Sequence, residues 1–177
     1  MYIWEENALS AGQWKRYVWY GLAFGVLAAM LLYNFSLYVF TRDSSYFYYS
    51  VYAFSVMLYE CGLTGIGDHL VWGHSQWLRI NGFALSIYVS FFAASLFMRN
   101  FLKLKSYGGW VLHCNTIFVG FWLFSACVLL LGKDFMVTIN EVFALLSCVV
   151  AMATGVWLWI KGSVSARNFT LAWGWLI

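Results

Sequence analysis

Two glutamates within long apolar stretches are the side chains best suited to chemistry in this chain. Glu60 lies near the end of the second apolar stretch, and Glu141 lies near the start of the fifth. A carboxylate within a membrane span is costly, so it often marks a ligand, proton or cation site. Both glutamates lie close enough to a predicted interface to reach water, which weakens that inference. We treat Glu60 and Glu141 as candidate ligand or ion residues.

A second group of chemically capable residues lies in the connection after the second stretch. Asp68, His69 and His74 include two imidazoles and a carboxylate, which are ligands that zinc accepts. Connecting segments often contain these residue types by chance, so we predict neither a metal site nor a cofactor. The chain also lacks a nucleophile elbow, a phosphate-binding loop, an HExxH motif and a catalytic carboxylate pair. We therefore expect no enzymatic activity in this segment.

Small and polar residues in the first stretch are candidates for helix packing or for a switch contact. Gly21 and Gly25 are four residues apart, which places them on one helix face where another backbone can approach closely. Tyr33 and Asn34 lie further along the same stretch. Hydrocarbon offers an amide no hydrogen-bond partner, so we expect Asn34 to bond a neighbouring helix.

These residues must be positioned by membrane-spanning helices. The chain is 63% hydrophobic and 10% charged, whereas soluble domains carry about 25% charged residues. Each of the first five apolar stretches has 21 to 24 residues, enough for a helix to cross about 30 Å of hydrocarbon. The stretches are 17–40, 46–66, 80–101, 110–131, 137–160 and 169 to the end.

This pattern predicts an all-α fold, a polytopic helical membrane bundle with six visible spans. Short connections make sequential helices antiparallel neighbours in an up-and-down arrangement. We assign residues 1–16 to an extracytoplasmic juxtamembrane linker and residues 17–177 to the membrane domain. The sixth span is cut off at Ile177, so we expect a fragment of a larger domain. Aromatic residues near the stretch ends, Trp72 among them, are typical of an interfacial belt.

Charge predicts the orientation of the bundle. The connections at 41–45, 99–109 and 161–168 carry six basic residues and one acid. The N-terminal segment and the connections at 67–79 and 132–136 carry four basic residues and four acids. The positive-inside rule places the first set in the cytoplasm and the N-terminus outside. The net charge of +3 gives no indication of a nucleic-acid partner.

The order of short motifs resembles a known family. The motifs are GLAFGVLAAMLLYNFSLYVF at 21–40, TRDSSYFYYSVYAFS at 41–55, GLTGIGDHLVWG at 62–73, Asn81, FMRNFLKLK at 97–105 and LAWGWLI at 171–177. Together they resemble the membrane region of the bacterial seven-transmembrane receptors with diverse intracellular signalling modules, the 7TMR-DISM family. The resemblance runs from about Trp19 to Ile177.

The resemblance implies more than composition does. It implies seven helices, an extracytoplasmic sensory domain before the first helix, and a cytoplasmic kinase, diguanylate cyclase or phosphatase domain after the last. It also implies a multi-pass protein of the bacterial inner membrane with its N-terminus outside, in agreement with the charge count. Glu60 and the loop histidines receive no support from it.

The sequence thus favours a signal-transducing receptor module that relays an extracytoplasmic ligand signal to a cytoplasmic output domain. Its partners would be the lipid bilayer, the sensory and output domains of the same protein and, in a homodimer, a second copy. The alternative is a small transporter or channel subunit that uses Glu60 and Glu141. A third reading is a membrane scaffold without a signal of its own.

Overall fold

The chain is helical throughout the part that the structure describes. The structure, a computed structural model, describes residues 3–67, 72–73, 75–132 and 137–174, and no strand occurs among them. The predicted all-α class is therefore confirmed. Seven helices are described in these ranges: α1 (Ile3–Thr41), α2 (Ser44–Leu63), α3 (Gln76–Phe101), α4 (Leu104–Tyr107), α5 (Gly109–Leu130), α6 (Val137–Ile160) and α7 (Val164–Gly174).

Four of these helices contain segments long and apolar enough to cross a membrane. The segments are Tyr17–Thr41, Gln76–Phe101, Gly109–Leu130 and Thr138–Ile160. Helix α2 has 20 residues, but its four serines and five tyrosines lower its mean hydropathy. Helix α7 has 11 described residues, which is less than a bilayer requires. The second and sixth predicted spans therefore stay predictions.

Local hydrogen bonds explain where several helices begin and end. The Asp43 carboxylate accepts a bond from the backbone N–H of Ser45 at 2.8 Å and so caps the start of α2. Gly162, with a φ of 87°, ends α6, and the Ser163 N–H donates to the Leu158 carbonyl at 3.1 Å. This left-handed glycine and its bonds form a Schellman motif, which turns the chain towards α7.

Helix contacts divide the bundle into a periphery and a core. Helix α1 packs against α2, and α2 packs against α3. Helix α3 also contacts α5, and α6 packs mainly against α7. No residue in the most apolar part of α1 is buried. In the most apolar part of α3, 28% of the residues are buried. Helix α3 is therefore the centre of the bundle, and α1 lies at its edge.

One end of the bundle, here called the basic end, contains the start or end of several helices. It is defined by Arg42, Arg99, Lys103, Lys161 and Arg167. The end of α3, the start of α5, the end of α6 and the start of α7 meet here in one apolar cluster. Its buried members are Met98, Leu102, Leu104, Val111, Leu158, Ala166 and Phe169.

A second apolar cluster lies farther from the basic end, between α3, α5 and α6. Tyr88, Trp122 and Leu129 are its buried members. Phe121 and Phe143 stack there with ring centroids 3.8 Å apart. Aromatic packing therefore joins α5 to α6, although the two helices make few backbone contacts.

Trp72 lies inside the protein, contrary to its predicted place in an interfacial belt. Its side chain is only 5% exposed. A Cβ atom added to Gly62 would lie 3.1 Å from the indole, and one added to Gly82 would lie 3.0 Å from it. A Cβ atom at Gly67 would overlap the ring. Three glycines therefore leave the space that the indole occupies.

Candidate functional site

A buried hydrogen-bond network joins three helices in the core. Asn140 on α6 donates through Nδ2 to the hydroxyl oxygen of Tyr88 on α3 at 2.6 Å. Ser125 on α5 donates through its hydroxyl to Asn140 Oδ1 at 2.9 Å. All three residues are at most 5% exposed. A buried amide needs partners because hydrocarbon provides none, so these bonds favour one arrangement of the three helices.

A second polar contact joins α5 to α6 beside this network. Trp122 is fully buried, and its indole Nε1 donates to Ser147 Oγ at 3.2 Å. The Ser147 hydroxyl in turn donates to the Phe143 carbonyl at 2.7 Å. The Trp122 ring also contacts α3, because Phe91 stacks on it with ring centroids 4.6 Å apart. Trp122 therefore contacts both neighbouring helices.

Helix α3 presents a face of small polar residues to its neighbours. The hydroxyls of Ser86, Ser90 and Ser95 donate to carbonyls of the same helix at 2.7 to 2.8 Å. Internal bonding satisfies these hydroxyls without a partner helix, and their small volume permits close packing. The Ser95 carbonyl also accepts a 3.0 Å bond from Asn115 Nδ2 on α5. Asn115 Oδ1 is buried, and no described residue offers it a hydrogen-bond donor.

A cavity of about 400 Å³ lies among five helices, beside these polar contacts. Its volume is within the usual range for small-molecule sites. Aromatic and aliphatic side chains form most of its wall, with a few polar groups between them. The lining includes Tyr52, Val56, Tyr59 and Glu60 on α2, Ile87, Phe91 and Ala94 on α3, Asn115 and Phe118 on α5, Ser147 and Ala151 on α6, and Phe169 and Trp173 on α7.

The α6–α7 unit and α2 meet at the basic-end side of this cavity. The rings of Tyr52 and Trp173 lie 5.8 Å apart, and Trp173 also stacks on Phe169 at 5.6 Å. Gly155 on α6 permits α7 to approach, because a Cβ atom there would lie 2.6 Å from Thr170 Oγ1. The cavity is therefore bounded by aromatic contacts on one side and by the α3–α5 pair on the other.

Glu60 is part of the cavity wall. Among the lining residues that the structure describes, it is the one with a charged side chain. It is partly buried, and it forms no ion pair within the described ranges. A carboxylate in a mostly apolar wall makes this position the most polar part of the cavity.

Comparison with known proteins identifies the family of this membrane bundle. The family described as 7TM diverse intracellular signalling matches residues 16–177. The chain belongs to this family. It is accordingly a multi-pass membrane protein of the signalling-receptor class, and the resemblance found in its motifs is confirmed. No curated protein and no solved structure shows significant similarity to it.

The structure places the predicted packing glycines on an open face. A Cβ atom added to Gly21 or to Gly25 would meet no atom within 4 Å. No helix of the described chain contacts α1 on this face. The small face therefore has no packing role within the described bundle.

Asn34 and Tyr33 of α1 likewise form no hydrogen bond to another helix among the residues that the structure describes. Asn34 Nδ2 donates to the Met30 carbonyl of its own helix at 2.8 Å, so the expectation of a bond to another helix is wrong. Tyr33 is 65% exposed. The reason is local, because the backbone carbonyl four residues earlier in a helix lies within reach of an amide side chain. Asn34 therefore needs no partner on another helix.

The two candidate glutamates occupy different environments. Glu60 lies in the cavity wall, whereas Glu141 is exposed on α6 and does not line the cavity. The structure therefore does not bring them together. Asp68, His69 and His74 lie outside the described residues. Within the described ranges, no group of three His, Cys, Asp or Glu side chains is placed to hold a metal ion.

Sequence reasoning missed the residues that connect the core helices. Asn140 and Asn115 are amides within apolar stretches, the same signal that selected Asn34. Applying that signal to every span would have found both. Ser125 and Tyr88 carry no comparable signal, because serine and tyrosine are common in the spans of this chain.

Proposed function

We propose that this chain is the membrane-spanning relay of a bacterial receptor. It would carry a signal from an extracytoplasmic ligand to a cytoplasmic output domain. The observation that carries the proposal is the family match over residues 16–177. A sensory domain would precede α1, and a kinase, diguanylate cyclase or phosphatase domain would follow the last helix. The relay itself would have no catalytic residue, and it would lie in the inner membrane with its N-terminus outside.

The polar contacts of the core support a relay by helix rearrangement. Signalling through a bundle needs at least two packing states that a ligand binds unequally. Asn140 joins α6 to α3 and α5, so a shift of α6 would exchange its bonds to Tyr88 and Ser125. Each bond in a membrane protein contributes about 0.6 kcal/mol on average. Bonds of this size favour one state but permit a ligand to reverse the preference.

The helix arrangement would change where α6 and α7, which pack against each other, meet α5. Helix α6 has few backbone contacts with α5. Side chains such as Trp122 and Phe143 form the connection instead. Rotamer changes at such positions need no break in a helix. In a homodimer, the open face at Gly21 and Gly25 would be available to the second copy.

The first test is to read the coding sequence beyond Ile177 in the native gene. The proposal predicts a further hydrophobic span and then a kinase, cyclase or phosphatase sequence. A stop codon directly after the sixth span would contradict it. A second test is a reporter fused after Lys103, which should be active as a cytoplasmic reporter. Activity of an extracytoplasmic reporter at that position would contradict the orientation.

The alternative is a transporter or channel subunit, and one observation favours it. Glu60 lies in the wall of a cavity among the helices, where a transported ion or solute would be bound. This reading predicts ion-dependent flux in liposomes and its loss in Glu60→Gln. The receptor proposal predicts no flux in either protein. Glu141 lies outside the cavity, so a joint role of the two glutamates has less support than a role of Glu60.

A further inference from the structure

The α2 wall of the cavity has one polar end and one aromatic end. Tyr52, Val56, Tyr59 and Glu60 line the cavity, and their spacing of four, seven and eight residues places them on one helix face. Eight residues of helix separate Tyr52 from Glu60, a rise of about 12 Å. The Glu60 carboxylate therefore lies at one end of an elongated cavity, and the Tyr52–Trp173 pair lies near the other.

The α3 and α5 wall of the cavity is mostly apolar along the same length, and its polar members are Ser90, Ser95 and Asn115. Ile87, Phe91 and Ala94 of α3 line the cavity at spacings of four and seven residues, and Phe118 of α5 lies beside them. Such a wall favours an apolar body and offers no charge to balance the carboxylate. Aromatic rings beside a carboxylate attract organic cations through both the charge and the ring quadrupoles.

We propose that this cavity binds a small amphipathic organic cation. The ammonium group would lie against the carboxylate of Glu60 and the ring of Tyr59, and the apolar body would extend towards Phe118 and Trp173. Charge complementarity carries the proposal, because Glu60 is unpaired within the described residues while the rest of the lining there is uncharged. The inference goes beyond the relay function, since it assigns a ligand site to the membrane bundle itself.

Three probe compounds of equal shape test the charge preference on the unaltered protein. They are 4-phenylbutyltrimethylammonium, its neutral isostere with a tert-butyl group, and an anionic analogue with a sulfonate. The tritiated trimethylammonium compound is bound to the protein in lipid nanodiscs, with empty nanodiscs as the correction for partition into lipid. We expect saturable binding, and we expect the neutral isostere to compete about tenfold more weakly. The sulfonate should not compete.

Two matched glutamate variants locate the charge that is recognised. Glu60→Gln should weaken binding of the trimethylammonium probe about tenfold and should leave competition by the neutral isostere unchanged. Glu141→Gln removes the same charge from an exposed position on α6 and should bind like the unaltered protein. If Glu60→Gln does not fold, Ala151→Leu adds volume to the α6 wall without changing charge. It should weaken the cationic and the neutral compound alike.

Three results would overturn the proposal. They are an absence of saturable binding, equal competition by the cationic and neutral compounds, and unchanged binding in Glu60→Gln. None of them depends on an output domain, so the relay function would stand if this proposal failed. Conversely, specific binding in a chain whose gene encodes no output domain would support the site and contradict the relay.

Discussion

Several polar side chains of the α3–α5–α6 core bond to other helices, whereas the described hydrogen bonds that polar side chains of α1 donate stay within that helix. In α1, Asn34, Ser36 and Thr41 each donate to a carbonyl four residues earlier in the same helix. In the core, Asn140, Ser125 and Trp122 bond to side chains of other helices. The residue types overlap, so position in the bundle makes the difference. A polar residue in a span stabilises a helix arrangement only where a neighbouring helix lies within reach.

The difference also predicts which helices can move during signalling without breaking hydrogen bonds. A helix whose polar groups are satisfied internally can move against its neighbours without loss of hydrogen bonds. A helix held by Asn140 must exchange bonds in order to move. Pairs of equivalent substitutions, one in each region, therefore test the comparison.

The largest difference is expected for tryptophan. Trp122 is fully buried and contacts both α3 and α6, whereas Trp19 on α1 is 70% exposed. Trp122→Ala should lower the free energy of unfolding by about 3 kcal/mol, because the lost contacts leave a void. Trp19→Ala should leave it unchanged within about 0.5 kcal/mol. Reversible unfolding in mixed micelles measures both, and equal effects would contradict the assignment of the core.

A smaller difference is expected for glycine. Gly155→Ala would place a Cβ atom 2.6 Å from Thr170 Oγ1, so the Thr170 side chain or α7 itself must shift away from α6. We expect a loss of roughly 1–3 kcal/mol in the free energy of unfolding.

Gly25→Ala is the control, because the new methyl group would lie more than 4 Å from every other described helix. It should leave the same free energy unchanged or slightly higher, since alanine favours the helix. A loss in Gly25→Ala as large as that in Gly155→Ala would show that the open face of α1 is packed against something.

The smallest difference is expected for a single hydroxyl. Tyr88→Phe removes the acceptor of the 2.6 Å bond from Asn140, which should lower the free energy of unfolding by about 0.6 kcal/mol. Tyr33→Phe removes a hydroxyl from a side chain that is 65% exposed and should have no measurable effect. The same unfolding measurement, repeated enough to resolve a few tenths of a kcal/mol, distinguishes the two.

The positions of the helices could be predicted from sequence because hydropathy depends only on local composition. The third predicted span, 80–101, ends where α3 ends at Phe101, and the fifth, 137–160, has the bounds of α6. The short helix α4 was not predicted, since Leu104 lies between two lysines in what reads as a connection. Its side chain is fully buried in the cluster at the basic end.

The pairing of polar groups could not be predicted in the same way. Whether an amide faces lipid or another helix depends on the rotation of the helix about its axis. These spans are almost uniformly apolar, so no face of the helix stands out as the one that packs against a neighbour. The sequence therefore gives little indication of the rotation. The same amide signal occurs at Asn34, which bonds within its own helix, and at Asn140, which bonds to other helices. Trp72 illustrates the same limit, because its site depends on Gly62 and Gly82 in two different helices.

A direct comparison of Asn140 with Asn34 tests the central claim, that interhelical polar contacts of the core, and not those of α1, hold the bundle in one arrangement. The measurement is the free energy of unfolding of Asn140→Leu and Asn34→Leu in the same mixed micelles. We predict a loss of about 1–2 kcal/mol in Asn140→Leu, because two bonds to other helices are removed, and no loss in Asn34→Leu. A larger loss in Asn34→Leu than in Asn140→Leu would contradict the account.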